Sequence, residues 1–213
     1  MIQYIKIKIG ILIMERKVRE PKQLRSVEKK NRIVQAGYEL FAEKGYINTN
    51  TAEIAKKAGV SVGLVYGYFT DKKDILLEVL DIYINNVFAP VLDTFEGLSA
   101  PLDIEKIINL IVDKTVELHK NNALIHETLH SMTYIDEGIK NKFLLLEDNM
   151  TEKIVLSLKK AGYNPADLKE KVHLAIETIQ SYAHECIYDK HNYLNYSAMR
   201  ENVINMMLAL FNI

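Results

Sequence analysis

The stretch TNTAEIAKKAGVSVGLVYGYFTD at residues 49–71 constrains this chain more than any other, because its punctuation admits two short helices and a tight turn. Ile54, Ala55 and Ala58 supply the apolar face of the first helix. Gly59 breaks it, Ser61 can cap the second, and Val62, Val65 and Phe69 recur at helical spacing. Asn50 followed three residues later by Glu53 has the form of a capping box, and Asp71 with Asp74 repeats that form before the next helix. Small Ala55 and Ala58 let two helices cross closely at a steep angle, and Gly59 turns the chain without a Cβ penalty. The expectation is a helix-turn-helix; its competitor is a generic helical hairpin.

The groups left over after the apolar positions are assigned decide between the two. The second helix presents Ser61, Gly63, Tyr66, Gly67 and Tyr68, with Lys72 and Lys73 just beyond. Hydroxyls and ammoniums position a phosphate backbone, while a slim helix reaches base edges in a major groove. Two glycines in a short helix are costly unless a close approach or a tight packing contact compensates. Charge follows the same division: residues 15–80 carry 13 Lys/Arg against 9 Asp/Glu, whereas residues 81–213 carry 12 against 19. A near-neutral chain thus hides a basic end suited to nucleic acid.

Residues 33–80 closely resemble the amino-terminal signature of the TetR family of transcriptional regulators. The resemblance is carried by Ala36, Leu40, Phe41, Gly45, Tyr46, Thr49, Ile54, Ala55, Ala58, Gly59, Val60, Ser61, Gly63, Tyr66, Tyr68, Phe69, Lys72 and Leu76. This chain departs from the pattern at Asn50, where a second threonine is common, and at Leu64 and Val65, where a Thr-Leu pair is common. Asn50 preserves capping, whereas Leu64 removes a hydroxyl from the reading helix. The resemblance implies an all-α fold in which a helix-turn-helix head, residues 15–71, is followed by a helical effector-binding and dimerisation domain, residues 72–213. It implies a cytoplasmic homodimer on double-stranded DNA, and Thr49, Asn50, Ser61, Val62, Gly63, Leu64, Tyr66, Gly67, Tyr68 and Lys72 as its DNA-binding residues.

Outside the head the pattern stays helical. A supporting helix is expected over 26–43, capped by Ser26 and packing through Ile33, Gly37, Leu40 and Phe41, and a further helix runs from Asp71 towards Pro90. Helical periodicity resumes at about 103–119, 122–132, 136–161, 165–189 and 196–212. Phe143, Leu144, Leu146, Met150, Ile154, Val155 and Leu158 form one apolar stripe, mostly core with some members free to face a cavity. The family's last two long helices usually build the subunit interface, which assigns that role to 165–189 and 196–212. Leu174, Ile179, Ala183, Ile187, Val203, Met207, Leu208 and Phe211 are the expected interface residues, since the last helix is apolar around much of its circumference. A two-helix contribution from each subunit would present two reading heads to a two-fold-related site.

The sequence also contains His126-Glu127-Thr128-Leu129-His130, which satisfies HExxH. On a helix its histidines share a face and can ligate zinc with Glu127 as base, and His119 can add a ligand, so a zinc-dependent peptidase is the enzyme alternative. No carboxylate-bearing downstream partner motif accompanies it, and the helix-turn-helix accounts for far more of the chain. Cys186, the single cysteine, lies too close to His184 in helical sequence to imply a thiol-base pair, and neither a phosphate-binding glycine loop nor a Rossmann pattern occurs. The expectation is a binding protein with no catalytic residue, cofactor or metal.

A small-molecule effector is expected to meet His119, His126, His130, Tyr134, Tyr182 and His184, the polar and aromatic groups suited to an otherwise apolar pocket. Acidic residues of the larger region would favour a cationic compound. The leading reading is a repressor released from its operator by such an effector; the alternative is constitutive DNA binding without one. At the amino end, residues 1–14 alternate Ile and Lys in a strand-like way, are too short to span a membrane, and lack a signal-peptide cleavage site. They read as an extension, with Met14 as a candidate biological start. Arg16, Arg19, Lys22 and Arg25 could touch phosphate or a minor groove.

Overall fold

In the computed structural model, residues 24–212 are described. The expectations for residues 1–14 and for Arg16, Arg19 and Lys22 lie outside them. The described residues form helices and no strand, with α1 at Leu24–Lys44, α2 at Thr51–Ala58, α3 at Val62–Tyr68 and α4 at Lys72–Asp93. Then follow α5 at Ile104–Asn121, α6 at Ala123–Thr133, α7 at Glu137–Lys160, α8 at Leu168–Ile187 and α9 at Tyr196–Leu210. The chain forms two compact units, one from within Met1–Asn85 together with Leu124–Lys140, the other Asn86–Ala123 with Asn141–Ile213. They interleave in sequence, unlike a linear cut after residue 71.

In the first unit, α1 supplies Ile33, Ala36 and Phe41 to a core completed by Ile54, Val65, Phe69, Ile75 and Leu76, all buried. Gly37 marks where α1 and α4 touch: a Cβ there would stand 2.7 Å from Ile75 Cγ2, so only glycine fits. Ser26 lies inside α1 instead of capping it, and its hydroxyl bonds that of Tyr68 at 2.7 Å, fastening α1 to α3. Helix α6 joins this core, where the Thr128 hydroxyl donates to the Phe41 carbonyl oxygen at 3.0 Å. An ion pair of 2.5 Å between Lys73 and Asp136 ties the first turn of α4 to the start of α7, whose Ile139 N–H Asp136 also accepts at 3.0 Å.

Helix α4 runs past Pro90 to Asp93 instead of stopping before it. Pro90 has no N–H to donate to the Asn86 carbonyl, and the helix ends within a turn of it. By length and composition α4 could cross a membrane, yet Leu76, Val79, Leu80 and Tyr83 are fully buried core.

The second unit packs α5 against α8 and α9. Asp103 caps α5 by accepting from the Lys106 N–H at 2.9 Å, and Asn195 caps α9 by accepting from the Ser197 and Ala198 N–H groups. Arg200 on α9 grips Asp113 on α5 through two 2.7 Å bonds, the bidentate form that a guanidinium makes with a carboxylate, and reaches Asn109 as well. On α7, Phe143, Leu146, Met150, Ile154, Val155 and Leu158 are buried as their spacing predicts, whereas Leu144 is half exposed.

Candidate nucleic-acid interface

The turn between α2 and α3 is built by the residues that the sequence marks. Asn50 Oδ1 accepts from the Glu53 N–H at 3.0 Å and Glu53 Oε2 accepts from the Asn50 N–H at 3.1 Å, closing the capping box. Gly59 adopts φ 65°, the left-handed region in which a Cβ would be strained. Ser61 then accepts from the Leu64 N–H at 3.2 Å and starts α3. Lys44 bonds Glu53 at 2.6 Å, holding its carboxyl below the usual range together with the Asn50 N–H, so α2 is clamped to the end of α1. Asp71 likewise accepts from the Asp74 N–H at 3.0 Å, while Asp74 reaches back to the Thr70 N–H at 2.9 Å.

Helix α3 turns one face inward and leaves the other bare. Val65 is fully buried, Leu64 is half-buried, and Ser61, Val62, Gly63, Tyr66 and Gly67 are exposed. A Cβ built on Gly63 or Gly67 would meet nothing within 4 Å, and neither glycine has a positive φ. No internal packing contact therefore accounts for the two glycines, which stand four residues apart on one helix face. The Tyr66 hydroxyl bonds the Thr51 hydroxyl at 3.1 Å and bridges α2 to α3 while remaining at the surface.

Three residues expected at DNA are occupied inside the head. Thr49 is buried, its hydroxyl donating to the Gly45 carbonyl at 2.8 Å, so its side chain is a fastener of the α1–α2 loop. Lys72 donates to the carbonyl oxygens of Tyr46 and Thr49, each at 2.6 Å, with its ammonium 4.1 Å from the centre of the Tyr46 ring. Burial also lowers its pKa, as expected of an ammonium withdrawn from water. Tyr68 is held by Ser26, as above.

The residues expected at an effector are distributed over both units. His126 and His130 stand together on α6 in the first unit, ring centres 4.0 Å apart, with the Tyr83 hydroxyl hydrogen-bonded to His126 Nδ1. Tyr134 is 92% exposed, which removes it from any pocket wall. In the second unit, Tyr182 is buried and His184 stands edge-on to both His119 and Tyr188. Only His119 of the six borders the cavity of this unit.

That cavity, of about 80 Å³, is walled by Val87, Phe88 and Val91 of the α4 end, Phe95 in the turn after it, the inner face of α5, Met150, Ile154 and Leu158 of α7, the α8 face from Val172 to Gln180, and Phe211. Thr115, His119 and Gln180 are its polar members, and no Lys, Arg, Asp or Glu lines it. His119 Nδ1 lies 2.8 Å from the Thr115 carbonyl oxygen, and burial lowers its pKa, which favours the neutral ring. Sequence reasoning missed most of this wall because an apolar cavity lining has the same 3.6-residue period as a core.

Several expected interface residues are buried within the single chain: Ile179, Ala183, Val203, Met207 and Phe211 fill its own core. A helix apolar around its circumference here reflects packing within the unit. Leu174 and Met206 are the strongly exposed apolar side chains of α8 and α9, with Ile187 and Leu208 half-buried.

Comparison with known proteins places this geometry. Residues 33–79 match the family model described as "Bacterial regulatory proteins, tetR family". The chain is similar to the HTH-type transcriptional regulator HbdR of Aromatoleum sp. (strain CIB), 38% identical over 76 residues, covering 36% of this chain and 33% of that protein. It is also similar to the HTH-type transcriptional regulator AcrR of Shigella flexneri, 28% identical over 128 residues, covering 58% of this chain and 57% of that one. The matches thus span between a third and three fifths of these relatives' length. In fold, the chain resembles a protein from Mesorhizobium loti MAFF303099 described as a TetR-family transcriptional regulator, with a TM-score of 0.71 and 18% identity over 89% of this chain and 98% of that one. These relatives are regulators and not enzymes, which sets the HExxH sequence aside as a peptidase signature. The head at residues 33–79 is thus that of the TetR family of transcriptional regulators, and the described chain shares the fold of a solved structure described as belonging to that family.

Proposed function

We propose that this chain is a homodimeric repressor that a small-molecule effector releases from its operator. The observation that carries the reading is the bare face of α3, where Gly63 and Gly67 have open space around them and Ser61, Val62 and Tyr66 flank them at the surface. Such a face lets backbone and short side chains come close to base edges, while exposed hydroxyls meet phosphate. Asn50 joins this set at the start of α2, and half-buried Leu64 borders it. Thr49, Tyr68 and Lys72 act at one remove, by holding α2, α3 and the loop before them in place.

A two-fold pair of such heads would meet successive major-groove faces about one helical turn, roughly 34 Å, apart. Exposed Leu174 and Met206 with half-buried Leu208 and Ile187 mark the faces of α8 and α9 that a second copy would cover. The apolar cavity favours effector response over constitutive binding, because apolar walls with a few polar groups are what small-molecule sites are made of. Helix α4 lends its first turn to the head and its last turns to the cavity wall, and is the candidate connection between the two events. Thermodynamic reciprocity then requires that an effector which weakens DNA binding itself bind less tightly to the DNA-bound dimer.

The test is a titration of a fluorescent operator duplex, selected from random DNA by the full chain, in the presence of small molecules that raise the protein's melting temperature. At least one such compound should weaken DNA binding tenfold or more. Compounds that fill the cavity and leave operator affinity untouched would favour a constitutive regulator.

A further inference from the structure

We infer that the cavity of the second unit takes a slim, elongated, uncharged molecule, an alkyl chain with a single neutral hydrogen-bonding end placed at His119 and Gln180. This deepens the proposed effector response and rests on it for its biological meaning, though not for its chemistry. Three observations carry it. The lining contains no ionisable group of either sign apart from His119, so a carboxylate or an ammonium inside would be stripped of water with no counter-charge. The cationic compound suggested by overall acidity finds no partner here.

Shape supplies the second argument. The lining on α5 extends from Ile104 to His119, about 22 Å at 1.5 Å per residue, yet the space holds only about 80 Å³. An engineered cavity that accepts benzene measures about 150 Å³. A space smaller than that, drawn out along several turns of helix, is a slot for a chain and not a chamber for a fused-ring system. Unbranched Met150 in its wall can yield as the chain enters.

The third argument is the placement of polarity at one end. Thr115, His119 and Gln180 are the polar members of the lining, and Gln180 stands near enough to His119 to act on its ring. With His119 Nδ1–H donating to the Thr115 carbonyl, the neutral ring keeps Nε2 as an acceptor, and the Gln180 amide offers both a donor and an acceptor. An alcohol, ester or amide end group is served by that pair. The remaining wall of Ile, Val, Leu and Phe side chains serves methylenes.

The experiment uses the full chain and titration calorimetry with 1-hexanol, 1-octanol, 1-decanol, octanoate and octyltrimethylammonium. Affinity should rise about threefold to fourfold per added methylene until the slot is full, which is the transfer free energy of a methylene expressed as a ratio. Octanoate and octyltrimethylammonium should bind at least tenfold more weakly than 1-octanol. Ala175→Trp, which fills the slot, should abolish alcohol binding in folded protein. Gln180→Leu should keep the chain-length trend and lose the preference for 1-octanol over 1-chlorooctane, and it decides the matter if Ala175→Trp does not fold. Charged probes binding as well as 1-octanol, no dependence on chain length, undiminished binding in folded Ala175→Trp, or an unaltered preference in Gln180→Leu would each overturn the assignment. Operator affinity measured alongside separates the two claims. Alcohols that bind without altering it would sustain the cavity's chemistry and remove the effector reading, and DNA release by a charged compound alone would do the reverse.

Discussion

The Lys72 ammonium donates to the Thr49 carbonyl oxygen at 2.6 Å, joining the first turn of α4 to the loop that precedes α2. A second 2.6 Å bond to the Tyr46 carbonyl completes the grip. A lysine that reads as a phosphate contact in sequence is thereby an internal fastener. Lys72→Ala should lower stability by about 1–3 kcal/mol, the range for charge-assisted bonds to groups withdrawn from water. It should weaken DNA binding through a displaced head while leaving the slope of log affinity against log salt unchanged, because no counterion-releasing contact is removed. A slope reduced by about one, with stability intact, would return Lys72 to the phosphate contacts.

Gly63→Ala and Gly67→Ala should separate folding from function. Neither added Cβ meets anything within 4 Å, so each should stabilise α3, by up to about 1 kcal/mol from helix propensity. Each should nonetheless weaken operator binding, tenfold or more, if DNA fills that space. Denaturant melts and anisotropy titrations on the same preparations decide it; unchanged affinity in stabilised variants would mean that DNA does not approach this face.

Much of the head was legible because its signals are local. Asn50, Glu53, Gly59 and Ser61 act within a few residues of themselves, through caps and one left-handed turn, and each does in the fold what its spacing predicts. The internal bonds of Lys72 and Thr49 were not legible, because a hydroxyl or an ammonium beside a reading helix looks alike whether it faces solvent or a carbonyl elsewhere in the head. The same gap explains α8 and α9: apolar periodicity at Ala183, Val203 and Met207 records burial without saying whether the partner is the same chain or another. The cavity was the least legible feature. Nothing in the spacing of Val87, Phe88 and Val91 distinguishes a wall with space behind it from one without.

Neighbouring positions on α9 test the subunit reading. Met206 is 58% exposed and Met207 only 2%. Met206→Asp should yield a folded monomer, since the charge meets water once the copies separate. Met207→Asp should unfold the second unit by burying an unpaired carboxylate, at a cost of several kcal/mol. Sedimentation and circular dichroism of both variants provide the readout, and a Met206→Asp protein that remains a dimer would move the interface off this part of α9.

Acidity should loosen the second unit through its histidines. Burial lowers the pKa of both His119 and His184 from the ordinary 6.5. The unfolded chain therefore binds protons at a higher pH than the folded one, so stability is fully present above about pH 6.5 and declines as pH falls below it. Melting temperature should drop between pH 7.5 and 5.5, and the drop should be smaller in His119→Gln/His184→Gln. Equal slopes in the two proteins would assign the acid sensitivity elsewhere.

The central claim, that two copies of this head read DNA through the bare face of α3, is tested most directly by selecting binding sites from random duplex DNA with the full chain. The account predicts enrichment of a two-fold-symmetric site whose half-sites lie about one helical turn apart, with preference at one or more bases in each half lost when Val62 or Leu64 is replaced by Ala. Enrichment of no sequence, or of a single asymmetric half-site indifferent to both replacements, would contradict it.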